Sequence, residues 1–165
     1  MHERFFELYK LRIKNYFRQH GEYIYSDCIP LEAELGQSLV PVPYKERLSL
    51  KYRPVQEGDT WGPKWSSAWL HVQATVPARF AGKELCLRIN GGGEALVYDK
   101  KGVPAMGLTN VCAFEHNYHK DRYLIGKCKT GAKLDYWIEL AANALFGIQQ
   151  PQDRKSTRLN SSHAT

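Results

Sequence analysis

Ala68-Trp69-Leu70-His71-Val72-Gln73-Ala74-Thr75-Val76 alternates without a break. Ala68, Leu70, Val72, Ala74 and Val76 fall on one side; Trp69, His71, Gln73 and Thr75 fall on the other. Successive side chains of a strand point to opposite faces, so this period of two predicts a half-buried strand. Pro77 ends it, because proline has no amide N–H to offer a ladder. The same pattern continues downstream. Glu84 to Ile89 sets Leu85, Leu87 and Ile89 to one side, and Asn90-Gly91-Gly92-Gly93 then reads as a turn. Glu94 to Tyr98 is the next predicted strand, and Asp99 to Gly102 turns it back into Val103 to Met106. Arg122 to Ile125 and Leu134 to Leu140 complete the set. Short alternating segments with turns between them predict an antiparallel β-sandwich, with no helix between Ser66 and Leu140.

Upstream the period changes. Between His2 and His20, Phe5, Leu8, Tyr9, Ile13, Tyr16 and Phe17 recur at steps of three and four. That is an amphipathic helix, with Lys10, Lys14 and Arg18 opposite and Gly21 as its stop. Packing on the core is the expected use of its apolar stripe. Tyr23 to Tyr25 and Leu31 to Leu35 are candidate short strands. Pro41, Pro43 and Pro54 break up Ser38 to Lys64, which reads as a surface connection with one edge strand at Arg47 to Tyr52. The domain plan is a helix over 1–22, a sandwich over 23–152 and a separate tail over 153–165.

Composition narrows the function. The chain has 165 residues, 43% hydrophobic and 24% charged, as in an ordinary folded domain. The longest uncharged apolar stretch, Leu140 to Gly147, is far short of the roughly 20 residues a membrane helix needs. Glu3, Arg4 and Glu7 interrupt any leader-like segment, so a cytoplasmic protein is expected. Cys28, Cys86, Cys112 and Cys128 form no CxxC pair and read as small buried hydrophobes in a reducing compartment. The net charge is +6, of which Asp153–Thr165 supply +2, through Arg154, Lys155 and Arg158 against Asp153. The remainder is thinly spread, whereas a nucleic-acid footprint clusters its Lys and Arg on one element. No nucleic acid and no membrane are expected as partners. Asp153 to His163 has no apolar period and resembles the in-frame translation of a common short-read sequencing adapter. The tail is therefore expected to be artefactual and disordered, with the gene interrupted near Gln152.

Several ordered motifs give a resemblance. Gly58-Asp59-Thr60-Trp61-Gly62-Pro63-Lys64-Trp65-Ser66-Ser67-Ala68-Trp69 fits a WGPxWSxxW pattern. Val76-Pro77 followed by Ala81-Gly82-Lys83 fits a proline and Gly-Lys turn. Gly93-Glu94-Ala95-Leu96-Val97-Tyr98 fits GEALVY, with Gly102-Val103-Pro104 and Gly107-Leu108 after it. Tyr136 to Gly147 fits YxIExAxNxLFG. Together, Gly58 to Gly147 resembles the N-terminal β-sandwich domain of family 38 glycoside hydrolases, the α-mannosidases. The resemblance implies a jelly-roll-like (galactose-binding-like) sandwich, and a parent enzyme that hydrolyses terminal α-mannosides with zinc and with retained stereochemistry. In that family the zinc ligands and the catalytic carboxylates lie in a following domain. None can be carried onto this sequence, which has no HxH pair. The expectations are no catalytic residue, no metal and no cofactor in this chain, with zinc in the absent catalytic domain. That domain is the expected partner, and a mannose-containing glycan is a second. The rival reading is a free-standing carbohydrate-binding module.

Three residues stand as binding candidates. Trp61 and Trp65 lie with Trp69 at four-residue steps in a Gly/Pro-containing stretch. Rings so placed either plug the open end of a sandwich or stack on sugars. The plug is the simpler role for Trp65 and Trp69; Trp61 leaves both open. Glu94 follows three glycines and is placed either to bind sugar hydroxyls or the catalytic domain, or to bond nearby backbone amides. His116-x-x-His119 with Asp121 lacks a full zinc ligand set and reads as a polar hairpin tip. Glu139 and Asn143 are read as satisfying backbone groups at a turn.

Overall fold

A computed structural model describes residues 3–21, 25–109, 119–143, 157–158 and 160–164. The order of its elements along the chain is as follows. Helix α1 spans Glu3–Gly21. Then come β1 (Ile29–Pro30), β2 (Glu32–Ser38), β3 (Tyr52–Pro54), β4 (Thr60–Trp61) and β5 (Ser67–Thr75). After them lie β6 (Glu84–Asn90), β7 (Glu94–Tyr98), β8 (Pro104–Leu108), β9 (Arg122–Lys127) and β10 (Lys133–Ala141). Last are β11 (Thr157–Arg158) and β12 (Asn160–Ala164).

The larger sheet has the order β3-β2-β5-β10-β7-β8, and every described pairing in it is antiparallel. A second sheet has the order β1-β12-β6-β9. Ala68, Leu70 and Val72 of β5 face the interior with Ile138 and Leu140 of β10 and Val97 of β7. Leu87 and Ile89 of β6 join them in the same buried cluster. A smaller cluster of Val76, Phe80, Leu85 and Leu134 closes one end. This is the expected antiparallel β-sandwich. Between β6 and β9 the register slips by one residue, Leu85 facing Gly126 and Cys86 facing Leu124. Gly126 has a φ of 87°, which only glycine adopts without strain.

The opposite face of the larger sheet is also covered. Trp69 is buried although it points away from the sandwich core, and its indole N–H donates to the Val42 carbonyl at 2.8 Å. The segment from Ser38 to Lys64 thus acts as a second cover. It holds a 3₁₀ turn at Tyr44–Ser49, and its edge strand is β3, a few residues later than Arg47 to Tyr52. Gly36 in β2 leaves room for this arrangement, because a Cβ there would lie 2.9 Å from Leu50 Cβ and from the Tyr52 ring.

Four expectations are corrected. The apolar stripe of α1 does not pack on the core: Phe5, Leu8, Tyr9, Ile13, Tyr16 and Phe17 are 43% to 70% exposed. Periodicity says that a face is to be covered without saying by what, and both faces of the larger sheet are already closed. A 3₁₀ turn, Ala78–Phe80, does interrupt the strand region, where it drops Phe80 into the smaller cluster. Of the three described cysteines only Cys86 is buried; Cys28 is exposed and Cys128 half-buried. The tail is not uniformly disordered, for β12 pairs with both β6 and β1, and β11 with β4. Ladder bonds are made by the main chain, so an open edge of β6 can be paired by a segment with no apolar period. Tyr23, Ile24 and the Cys112–His116 stretch lie outside the described residues.

Leu70 is fully enclosed by both sheets. Leu70→Ala is expected to cost about 2–5 kcal/mol. A lower denaturant midpoint at unchanged m-value would show it.

Candidate functional site

The turn before β5 places Trp65. The Ser66 N–H donates to the Pro63 carbonyl at 3.2 Å, and Ser66 Oγ donates to the same oxygen at 2.6 Å. Trp65 therefore sits third in a four-residue turn, with a φ of 70°. That position in a type II turn normally requires glycine. The turn is tied to the end of β10, since Trp65 N–H donates to Ala142 O at 2.8 Å and Ala142 N–H to Ser66 O at 2.9 Å. Trp65 is 56% exposed.

Trp61 and Trp69 are interior. Trp61 is 2% exposed, and its indole N–H donates to the Gly91 carbonyl at 2.9 Å. It is a plug with no ring face open to a ligand, as is Trp69. The simpler plug role expected for Trp65 is therefore corrected. The side chain is outside because a left-handed backbone at its turn position swings it away from the core.

Glu94 opens β7 and is exposed. Its own N–H donates to Asn143 Oδ1 at 3.0 Å. Its carboxylate makes no hydrogen bond or ion pair among the described residues, so the bond from that carboxylate to nearby amides is not formed. Asn143 does satisfy a backbone group, as its sequence position implied. Gly93 is forced by the same close approach, because a Cβ there would collide with the Ala141 carbonyl oxygen.

Trp65 and Glu94 line one cleft of about 420 Å³, together with Ser66, Ser67, Glu139 and Asn143. Register explains the meeting. Ser67 of β5 faces Ala141 of β10, which faces Glu94 of β7. These three residues form one rung, and Ser67 and Glu94 stand two strand spacings apart, roughly 10 Å. Apolar groups, among them the side chains of Pro41 and Leu96, make up much of the rest of the wall.

One rung further on, the outer face becomes aromatic. Tyr98 stacks on Tyr44 at 5.0 Å and tilts against Trp69 at 5.0 Å. The Tyr98 hydroxyl donates to Glu139 Oε2 at 3.0 Å, so Glu139 bonds a side chain and not the backbone group expected. Arg47 lies over the rings of Tyr44 and Trp137, at 3.8 and 4.4 Å. His71 stacks flat on Trp137 at 4.0 Å and bonds Asp135 at 3.0 Å. Sequence reading missed Glu139, Ser66 and Ser67 as cleft residues. The signal was available for Glu139: the alternation of β10 puts it on the side of Trp137, away from Ile138 and Leu140.

Residues 29–163 match the family described as "Alpha-mannosidase, jelly roll domain". The chain belongs to that family. It is 34% identical over 117 residues to human "Alpha-mannosidase 2C1", covering 70% of this chain and 11% of the relative. The mouse protein of the same name is 30% identical over 118 residues, 68% of this chain and 11% of the relative. "Alpha-mannosidase G" of Dictyostelium discoideum is 26% identical over 133 residues, 77% of this chain and 12% of the relative. The chain thus spans about a tenth of the length of the curated relatives it matches.

Within this jelly roll domain no group of three His, Cys, Asp or Glu is placed to hold a metal ion among the described residues. His116 lies outside them, and Asp121 instead pairs with Arg88 at 3.3 Å. No described helix is long and apolar enough to cross a membrane.

The outer layer sets two tyrosine acidities. Burial, then the bond to Glu139 and its charge, push the Tyr98 phenol up to about 12. Burial also pushes Tyr52 up to about 12, against the pull of Arg47. An unfolded tyrosine ionises near 10. The folded state therefore holds these protons more tightly, and their contribution to stability is complete below about pH 10 and lost as pH rises towards 12. An ultraviolet titration should show Tyr52 and Tyr98 among the tyrosines that ionise late, together with loss of native structure. Gly93→Ala should cost about 1–3 kcal/mol by overpacking against Ala141, read as a lowered denaturant midpoint.

Proposed function

We propose that this jelly roll domain is the non-catalytic N-terminal part of a family 38 α-mannosidase, and that it packs on the catalytic domain and helps wall the substrate entrance. One observation carries the reading. The three stretches that hold the resemblance, Gly58 to Trp69, Gly93 to Tyr98 and Tyr136 to Gly147, all contribute to a single cleft through Trp65, Glu94 and Asn143. Motifs needed only for folding would scatter through the core. These stretches do feed the core, through Trp61, Trp69, Val97 and Ile138, but Trp65, Glu94 and Asn143 come together at one cleft, where a partner or a substrate can meet them.

On this reading the chemistry lies outside the chain. A retaining glycosidase needs two carboxylates about 5 Å apart, one as nucleophile and one as acid/base. Those groups, and the zinc that assists them, belong to the catalytic domain. The parent's substrates are terminal α-mannosides, in keeping with the names of the relatives. A cytoplasmic setting fits Cys28 and Cys128, which form no disulfide among the described residues, as a reducing compartment would keep them.

The purified chain is expected to release no nitrophenol from nitrophenyl α-mannoside. A complete relative deprived of the region equivalent to β2–β10 should lose hydrolysis. Turnover by the chain alone, or an undiminished truncated enzyme, would overturn the reading.

A further inference from the structure

We infer that the cleft between the Trp65 turn and the start of β7 is itself a saccharide site, which takes one pyranose ring. The choice of mannose as probe rests on the mannosidase reading above; the site does not. Three observations point the same way.

The first is strain without burial. Trp65 occupies a backbone conformation that L side chains rarely adopt, and the residue remains 56% exposed. Trp61 and Trp69, from the same stretch, are buried with their indole N–H groups bonded. Core packing therefore does not compensate the Trp65 turn. Strained residues persist where surroundings over-determine them, and they gather at ligand clamps. The surroundings here are the bonds through Ser66 and Ala142.

The second is the polar set. Glu94 brings a carboxylate with no partner among the described residues. Asn143 spends its oxygen on the Glu94 N–H, which leaves its amide nitrogen as a donor. An acceptor at the start of β7 and a donor just beyond the end of β10 match two adjacent hydroxyls, each of which both gives and takes a hydrogen bond.

The third is size and lining. About 420 Å³ lies within the range of small-ligand clefts, and most of the wall is apolar. The Trp65 ring on one side and Glu94 on the other, with Ser67 and Glu94 roughly 10 Å apart, admit a ring stacked by its C–H face.

The test uses the chain as it is. Tryptophan fluorescence and two-dimensional NMR would follow titrations with methyl α-mannopyranoside and with mannitol, which has the hydroxyls but no ring face. Saturable change is expected with the glycoside, at a dissociation constant on the order of millimolar, and none with mannitol. Trp65→Gly should weaken binding at least about tenfold while the melting temperature holds or rises, since glycine suits the turn. Glu94→Gln should weaken it several-fold at unchanged melting temperature. No saturable change up to tens of millimolar, or a Trp65→Gly variant that melts well below the parent, would overturn the saccharide site. If glycoside fails but the separately expressed remainder of a relative binds through Trp65, the cleft is a domain seat. The inference then falls while the mannosidase reading stands.

Discussion

The antiparallel ladder between β5 and β10 governs the rest of the molecule. It runs from Lys133 opposite Thr75 to Ala141 opposite Ser67. Each rung sends its pair to one face and the next rung to the other. Leu70 with Ile138 and Ala68 with Leu140 go into the sandwich; Trp69 with Glu139 and His71 with Trp137 go outward. A slip of one residue would drive Trp69, His71 and Trp137 into a core filled by leucine, isoleucine and valine. The two faces therefore specify one register together, and the large outer rings make the error costly in either direction. The same ladder ends at the cleft, whose Trp65 turn is bonded to Ala142 just beyond the last rung.

How much of this was legible in the sequence follows from where the information is stored. Strands β5, β6, β7 and β10 announce themselves, because burying one face of a strand leaves a period of two in its residues. The covering segment from Ser38 to Lys64 leaves no such trace. Its burial is done by isolated side chains, with Tyr44 against Tyr98 and Tyr52 against Trp137, at positions set by the far sheet and not by local spacing. Composition fails for β12 for the converse reason: main-chain pairing needs no particular side chain. The α1 stripe shows the limit of periodicity, since an apolar face is a statement about need, and the described residues that surround the core have already met their own.

The site was half legible. Trp65 and Glu94 could be singled out as unusual, and the structure brings them to one cleft. The four-residue spacing of Trp61, Trp65 and Trp69 said nothing of which ring would be buried. That is decided by a single dihedral angle, within a turn whose sequence, Pro63-Lys64-Trp65-Ser66, has no glycine where the geometry asks for one. A residue that contradicts its own turn is visible only once the turn is known. Glu139 was read as satisfying backbone groups at a turn, although its alternation already placed it on the outer face.

The cleft and the aromatic layer divide their carboxylates by environment. Glu139 is held by the Tyr98 hydroxyl, and Tyr98 is fixed in turn between Tyr44 and Trp69. Glu94 stands two residues nearer the end of the ladder, beyond the last aromatic contact, and meets no such donor among the described residues. Glu139 is thus part of the wall and Glu94 is the acceptor available to a newcomer. Gly93 makes this division possible: without a side chain there, β7 can start hard against the Ala141 carbonyl, which brings Glu94 N–H onto Asn143 and leaves the carboxylate facing outward from a backbone that is already satisfied. The rigidity that a binding surface requires is supplied by the backbone, so the side chain that would meet a ligand is not also needed to hold the fold.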